Sequence, residues 1–215
     1  MAAEFPNLEV LDNALARERL AVLRDRHTDT AAFKRTIRDL GRVMAVCMAA
    51  DLPERRETIE TPMEEMEAPR LAAVPVLVPI LRAGLGLAAG FEDILPGALF
   101  GHVGVYRDES RDPPRPVEYY KNFPALKGRP VWIIDPMLAT GHSMAYAVTL
   151  ARKAGADPDR IRCACVIAAP EGVRVMAEEH PQVKILTAGL DRELNALAYI
   201  CPGLGDAGDR NYGTD

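Results

Sequence analysis

Acids, arginines and one glycine-centred turn are the residues whose types and spacing suit chemistry. In "IIDPMLATGHS", residues 133 to 143, an apolar run ends on Asp135 and turns at Pro136. It then passes through Met137, Leu138 and Ala139 to Thr140, Gly141, His142 and Ser143, where an apolar helical pattern begins. A strand that leads through a small-residue turn into a helix makes an anion cradle. The first backbone N–H groups of a helix lack intrahelical partners, and the helix dipole is positive there. Gly141 permits close approach of the backbone, and the Thr140 and Ser143 hydroxyls add donors. No Gly-Lys-Ser/Thr follows, so this is not a nucleoside-triphosphate P-loop. Asp135, six residues ahead of the glycine, is placed to bind sugar hydroxyls. The plainer reading is that Asp-Pro ends a strand and Thr or Ser caps a helix.

These side chains act together only if the fold gathers them. Residues 1–52 read as helical: "DNALARERLAVLRD" carries Leu15, Leu20 and Leu23, and "TDTAAFKRTIRDLGRVMAVCMAADL" spaces Phe33, Ile37, Leu40, Met44 and Cys47 as one helical face. Thr28 or Thr30 can cap the second helix. The acidic, proline-broken segment 53–70 suggests a short strand or exposed hairpin. Beyond residue 70 strands and helices alternate. Strands are expected at 74–80, 98–106, 130–135, 162–169 and 183–189, and "VEYYKNFP" alternates as in a hairpin. This pattern predicts an α/β fold, a central parallel sheet flanked by helices, with ligands at the carboxyl ends of the strands. We expect a single domain over 1–215: a helical N-terminal arm (1–52), a core sheet (74–189), a small β-flap and a C-terminal hood (190–215).

Bulk properties narrow the function. The 215 residues suffice for one domain with a full core, and a net charge of -5 argues against nucleic acid as partner. No apolar run approaches the ~20 residues needed to span a bilayer. Neither a membrane partner nor a signal peptide is expected. The four cysteines, Cys47, Cys163, Cys165 and Cys201, show no framework spacing, and a reduced, cytoplasmic protein is the simplest expectation. Cys163 and Cys165 share one strand face without further ligands, which disfavours a metal site.

"DPMLATGHS" resembles the phosphoribosyl-pyrophosphate motif of the uracil phosphoribosyltransferases. The resemblance continues in order through "VPILRAGLG", "GHVGVYRDE", "VEYY", "AAPEGV" and "PGLGDAGDR", covering residues 74 to 213. It implies transfer of a ribose 5-phosphate group from 5-phosphoribosyl 1-diphosphate to uracil, giving UMP. It further implies that Asp135 engages the ribose hydroxyls and that the 139–143 loop holds the 5-phosphate. Arg82 and Arg107 would bind diphosphate, and Asp206 would approach a Mg²⁺-diphosphate. The main chain at Ile200, Gly205 and Ala207 would read uracil. Pro136 follows the same pattern, where many other phosphoribosyltransferases carry a second acid; Mg²⁺ is then held mainly by substrate. A homodimer or larger assembly is implied, and GTP activates parts of the family. His142 and Cys201 depart from the pattern; solvent exposure is expected for the first and packing as a small hydrophobe for the second.

Two other readings compete. Gly84, Gly86 and Ala89 fit Gly-x-Gly-x-x-Ala after a strand, with Asp108 about twenty residues on, as an NAD-dependent oxidoreductase would require. That reading leaves "DPMLATGHS" and "PGLGDAGDR" unused. A catalytically silent nucleotide sensor on the same fold would bind without turnover.

Overall fold

The computed structural model describes residues 5–108 and 115–214, and the backbone alone at Arg107, Asp108, Arg115 and Pro116. In chain order come β1 (Leu8–Val10), α1 (Ala14–Arg24), α2 (Thr30–Ala49), β2 (Glu54–Glu60), β3 (Glu65–Leu71), β4 (Val76–Leu81) and α3 (Gly84–Ile94). Then follow β5 (Leu99–Phe100), β6 (His102–Asp108), β7 (Arg115–Asn122), β8 (Val131–Ile134), β9 (Met137–Leu138) and α4 (His142–Lys153). The chain closes with β10 (Ile161–Ala168), α5 (Pro170–Glu179), β11 (Lys184–Leu190), β12 (Glu193–Leu194), β13 (Ile200–Cys201) and α6 (Ala207–Tyr212).

The main sheet runs β1-β11-β10-β8-β4-β6-β7, with β5 beside β4 and β9 beside β10. Every pairing in it is parallel except β6–β7, an antiparallel hairpin at one edge. Alternation along the strands sorts the side chains onto two faces. Leu77, Trp132, Ile134, Ala164, Val166 and Leu186 pack with α1, α2 and α3. Val76, Val78, Ile133, Cys163, Cys165 and Ile185 pack with α4 and α5. Phe91 of α3 meets Trp132 edge-on, with centroids 5.8 Å apart. Full burial of such side chains stabilises by roughly 1.5–3 kcal/mol each.

The first 52 residues differ from an all-helical reading. Leu8–Val10 forms a short edge strand, in register with Ile185–Thr187; three residues carry too little periodicity to announce a strand. The helices of this segment form one covering layer of the sheet, their buried side chains belonging to the same core as Leu77 and Trp132. Leu15 is 49% exposed, while Ala16, Leu20 and Leu23 carry the buried face of α1. Asp29 caps α2, its side chain accepting from Ala32 N at 2.7 Å. Of the two threonines expected there, Thr28 donates its hydroxyl to the Val22 carbonyl and Thr30 is already helical. A carboxylate accepts from a helix N-terminus more strongly than a hydroxyl does.

β2 and β3 make the expected hairpin, standing apart from the main sheet with Met63 91% exposed near its turn. The strand expected at 98–106 is split at Gly101, where a Cβ would lie 2.7 Å from the Phe123 ring. Residues 109–114, between β6 and β7, lie outside the described residues.

Candidate active site

The buried strand does not finish on Asp135; it is interrupted there. β8 and β9 follow β10 in one register, Val131 opposite Ile161 and Met137 opposite Ile167. Between them the chain steps out at Asp135–Pro136. Asp135 N still donates to the Ala164 carbonyl at 3.1 Å, and the Pro136 carbonyl accepts from Val166 N at 2.9 Å. Proline has no N–H to lose, so the step leaves no ladder donor unpaired. The Asp135 side chain accepts from Met137 N at 3.3 Å.

Ala139 and Thr140 then lead to Gly141, the N-cap of α4, at φ 83° and ψ -22° with no side-chain cap. Thr140 and Gly141 therefore precede the helix, which begins at His142 and not at Thr140. The first N–H groups of α4 consequently have no capping side chain, as an anion cradle requires. Glycine is needed at 141 on two counts. Its φ is left-handed, and a Cβ there would lie 2.6 Å from the Gly172 carbonyl oxygen.

This turn lines a cavity of 370 Å³ together with Asp135, Met137, Leu138, Ala139, Ser143 and Met144, and Asp206 reaches the same space from the start of α6. Leu197, Ala198 and Tyr199 close it from above. They form the tip of the small antiparallel pair β12–β13. Asn195 shapes the tip, its side-chain oxygen accepting from Leu197 N at 2.9 Å and Tyr199 N at 3.0 Å. The polar "PGLGDAGDR" segment that follows β13 ends in a helix, α6, capped by Asp206 through Asp209 N at 3.0 Å. An acid two residues before a glycine-broken run conceals that capping signal.

Asp135 keeps part of its surface open to the cavity, yet protein atoms surround its carboxyl. Burial pushes its pKa up to about 7; the Met137 N–H draws it down, and the Asp206 carboxylate adds to the rise. Two acids converging on one polar cavity make a place for a hydroxyl-rich or cation-bearing ligand.

Of the residues expected from sequence, the structure gathers Asp135, Met137, Leu138, Ala139, Thr140, Gly141, Ser143 and Asp206 around this cavity. Pro136 is buried, and His142 is exposed and off the lining. Ile200 and Ala207 are buried beside the hood, whereas Gly205 is exposed. Arg82 is exposed at the mouth of α3, its guanidinium 5.6 Å from the centroid of the Tyr212 ring. The Arg107 backbone lies in β6, one residue before its end at Asp108, and its side chain lies outside the described residues. Sequence reasoning missed Met144, Leu197, Tyr199 and the bracing Gly172. Apolar residues in the irregular "NALAY" segment were the available signal for Leu197 and Tyr199.

The glycines that suggested a dinucleotide fold are consumed by packing. A Cβ on Gly84 would lie 2.4 Å from the Ile134 carbonyl oxygen, and one on Gly86 would lie 2.8 Å from the Asn211 side chain. The protein's own atoms fill the space a cofactor backbone would need.

A family model described as Uracil phosphoribosyltransferase matches residues 10–214. Curated proteins named uracil phosphoribosyltransferase include one from Rhodospirillum centenum, 45% identical over 98% of this chain and 97% of its own length. Another, from Ralstonia pickettii, is 44% identical over 98% and 96%. A solved structure from Aquifex aeolicus superposes with TM-score 0.89 at 32% identity, covering 95% of this chain and 97% of that one. An adenine phosphoribosyltransferase from Trypanosoma brucei, with TM-score 0.57 and 15% identity over 86% and 84%, shares the fold.

Proposed function

Since this chain belongs to the uracil phosphoribosyltransferase family, we propose that it joins uracil to the ribose 5-phosphate of 5-phosphoribosyl 1-diphosphate, giving UMP and diphosphate in pyrimidine salvage. One observation carries the reading. The uncapped start of α4, with Gly141 left-handed, opens on the same cavity as Asp135 and Asp206. A sugar phosphate presents the matching groups, a dianion at one end and hydroxyls beside it.

In this reading the N–H groups from Thr140 to Met144 hold the 5-phosphate and Asp135 accepts from the ribose hydroxyls. Uracil lies under the hood against the main chain of Ile200, Gly205 and Ala207. As N1 of uracil forms its bond to C1 of the sugar, the bond from C1 to the diphosphate oxygen breaks, and the N1 proton passes to water or to the departing diphosphate. Arg82 and Arg107 lie on the diphosphate side, where each charge-assisted contact contributes about 1.5–3 kcal/mol. Holding both substrates in line and stabilising the leaving polyanion account for the catalysis.

The acids also fit Mg²⁺. Among the described residues no cluster of three ligating side chains exists, and Asp135 and Asp206 suit an ion that takes most of its ligands from substrate and water. When bound, the ion supplies positive charge to the departing diphosphate.

Self-association and a cytoplasmic setting belong to the same reading. The β2–β3 hairpin, apart from the main sheet, supports the first, because an isolated two-stranded hairpin is marginal in water. The four free cysteines support the second. GTP as an effector rests on family resemblance alone.

Incubating the protein with uracil, 5-phosphoribosyl 1-diphosphate and Mg²⁺ tests the reading. UMP formation is the expected result. Binding of both substrates without UMP would leave the silent sensor, and binding of NAD(H) in their place would favour the oxidoreductase.

A further inference from the structure

The turn that follows β13 is tied to the N-terminal layer of the molecule by an ion pair whose carboxylate is buried and whose guanidinium is partly exposed. Asp191, directly after β11, is 5% exposed. Its carboxylate pairs with both terminal nitrogens of Arg24, the last residue of α1. The same pair grips Gly203 from both sides. Gly203 N donates to Asp191 at 2.9 Å, and Arg24 Nη1 donates to the Gly203 carbonyl at 2.8 Å. One arginine fork and one carboxylate therefore fix both polar groups of a single peptide residue.

That residue controls what surrounds it. Gly203 has φ 68°, and a Cβ there would lie 2.1 Å from the Ile200 carbonyl oxygen. The turn from Ile200 to Gly203 is thus closed on itself, and pinning Gly203 pins the Ile200 carbonyl. Further along, Arg210 donates to the Leu204 carbonyl at 2.8 Å and, towards α1, to the carbonyls of Leu23 and Asp25. The segment is thus held at Gly203 by Arg24 itself and at Leu204 through Arg210, both anchored at the end of α1, over 170 residues away in sequence.

We infer that Arg24 and Asp191 are positioning residues for the nucleobase, holding the Ile200–Gly205 main chain in the register that reads uracil, while Asp206 is fixed independently as the cap of α6 through Asp209 N. This rests on the proposed reading that this main chain contacts the base. Removing the pair leaves the α4 cradle untouched, since none of the cavity-lining residues around Gly141 contacts it in the hydrogen bonds above. The effect should therefore fall on the base and spare the sugar phosphate.

Truncating Arg24 alone would strand a buried carboxylate and risk unfolding. The double variant Arg24→Met with Asp191→Leu leaves no unpaired charge, although the Gly203 N–H and carbonyl lose their side-chain partners, so some fall in Tm is expected. Steady-state kinetics of the purified full chain, assayed well below the lowered Tm, are expected to show the uracil KM raised about tenfold or more, with the 5-phosphoribosyl 1-diphosphate KM within about twofold. Arg24→Lys, which keeps a charge but loses the fork, should give an intermediate uracil KM. An unchanged uracil KM in the double variant, or both KM values rising together, would overturn the inference. Absence of UMP from the wild-type protein would instead defeat the functional reading, and the inference with it.

Discussion

Gly141 and Gly172 meet backbone to backbone. A Cβ on Gly141 would lie 2.6 Å from the Gly172 carbonyl oxygen, and a Cβ on Gly172 would lie 2.4 Å from the Ala139 carbonyl oxygen. The start of α5 is therefore the wall against which the phosphate-binding turn is moulded. Gly172→Ala should displace that turn, costing about 1–3 kcal/mol in stability and raising the KM for 5-phosphoribosyl 1-diphosphate. The uracil KM should move less. Equal changes in the two would show that the wall serves the whole site and not the turn.

Asp135 makes a signed prediction for stability against pH. Its folded pKa is raised to about 7 from an ordinary 3.8, so the native chain keeps a proton that the unfolded chain has released. The stabilisation is fully present below about pH 4 and is lost as pH rises towards 7. Over that window the ligand-free protein should lose on the order of 4 kcal/mol relative to Asp135→Asn, about 3 kcal/mol of it between pH 5 and pH 8. Urea unfolding of both proteins at pH 5 and pH 8 measures this. Parallel profiles would mean that Asp135 is ionised throughout. Asp206→Asn should lower the midpoint of the transition, because the second carboxylate contributes to the rise.

Tyr212 donates its hydroxyl to the Arg82 carbonyl at 3.1 Å, and its ring lies beneath the Arg82 guanidinium. The end of α6 thus braces an arginine assigned to diphosphate. Arg82→Ala should lower kcat/KM by roughly 10- to 100-fold, the equivalent of one charge-assisted contact. Tyr212→Phe keeps the ring, loses one hydrogen bond and should cost less than about tenfold. A larger effect for the tyrosine than for the arginine would contradict this order.

His142 sits in the first turn of α4 but faces outward. His142→Ala should leave the KM for the sugar phosphate within about twofold, since the main-chain N–H groups supply the binding. A large rise would place the imidazole on the phosphate.

The sequence was most informative where side-chain periodicity and turn chemistry agree. β8, α4, β10 and β11 follow from apolar runs punctuated by glycine and proline, and the lining from Asp135 to Ser143 follows from one contiguous motif. Long-range partners were not legible. Nothing near Arg24 announces that it closes on Asp191 and Gly203, because that pairing is created by α1 covering the sheet. Nor could Gly172 be read as the wall of a turn about thirty residues earlier. The helical pattern around Gly84 and Gly86 was ambiguous for a similar reason, since glycine admits a ligand and a neighbouring helix equally well. The β1 strand was too short to show a period.

Main-chain capture of a phosphate dianion at the start of α4 is the claim on which the other assignments depend. A crystal structure with ribose 5-phosphate tests it most directly. The phosphate should lie within hydrogen-bonding distance of the N–H groups between Thr140 and Met144, with the ribose hydroxyls turned towards Asp135. Ligand density outside this turn, with the cavity closed by the protein's own side chains, would contradict it.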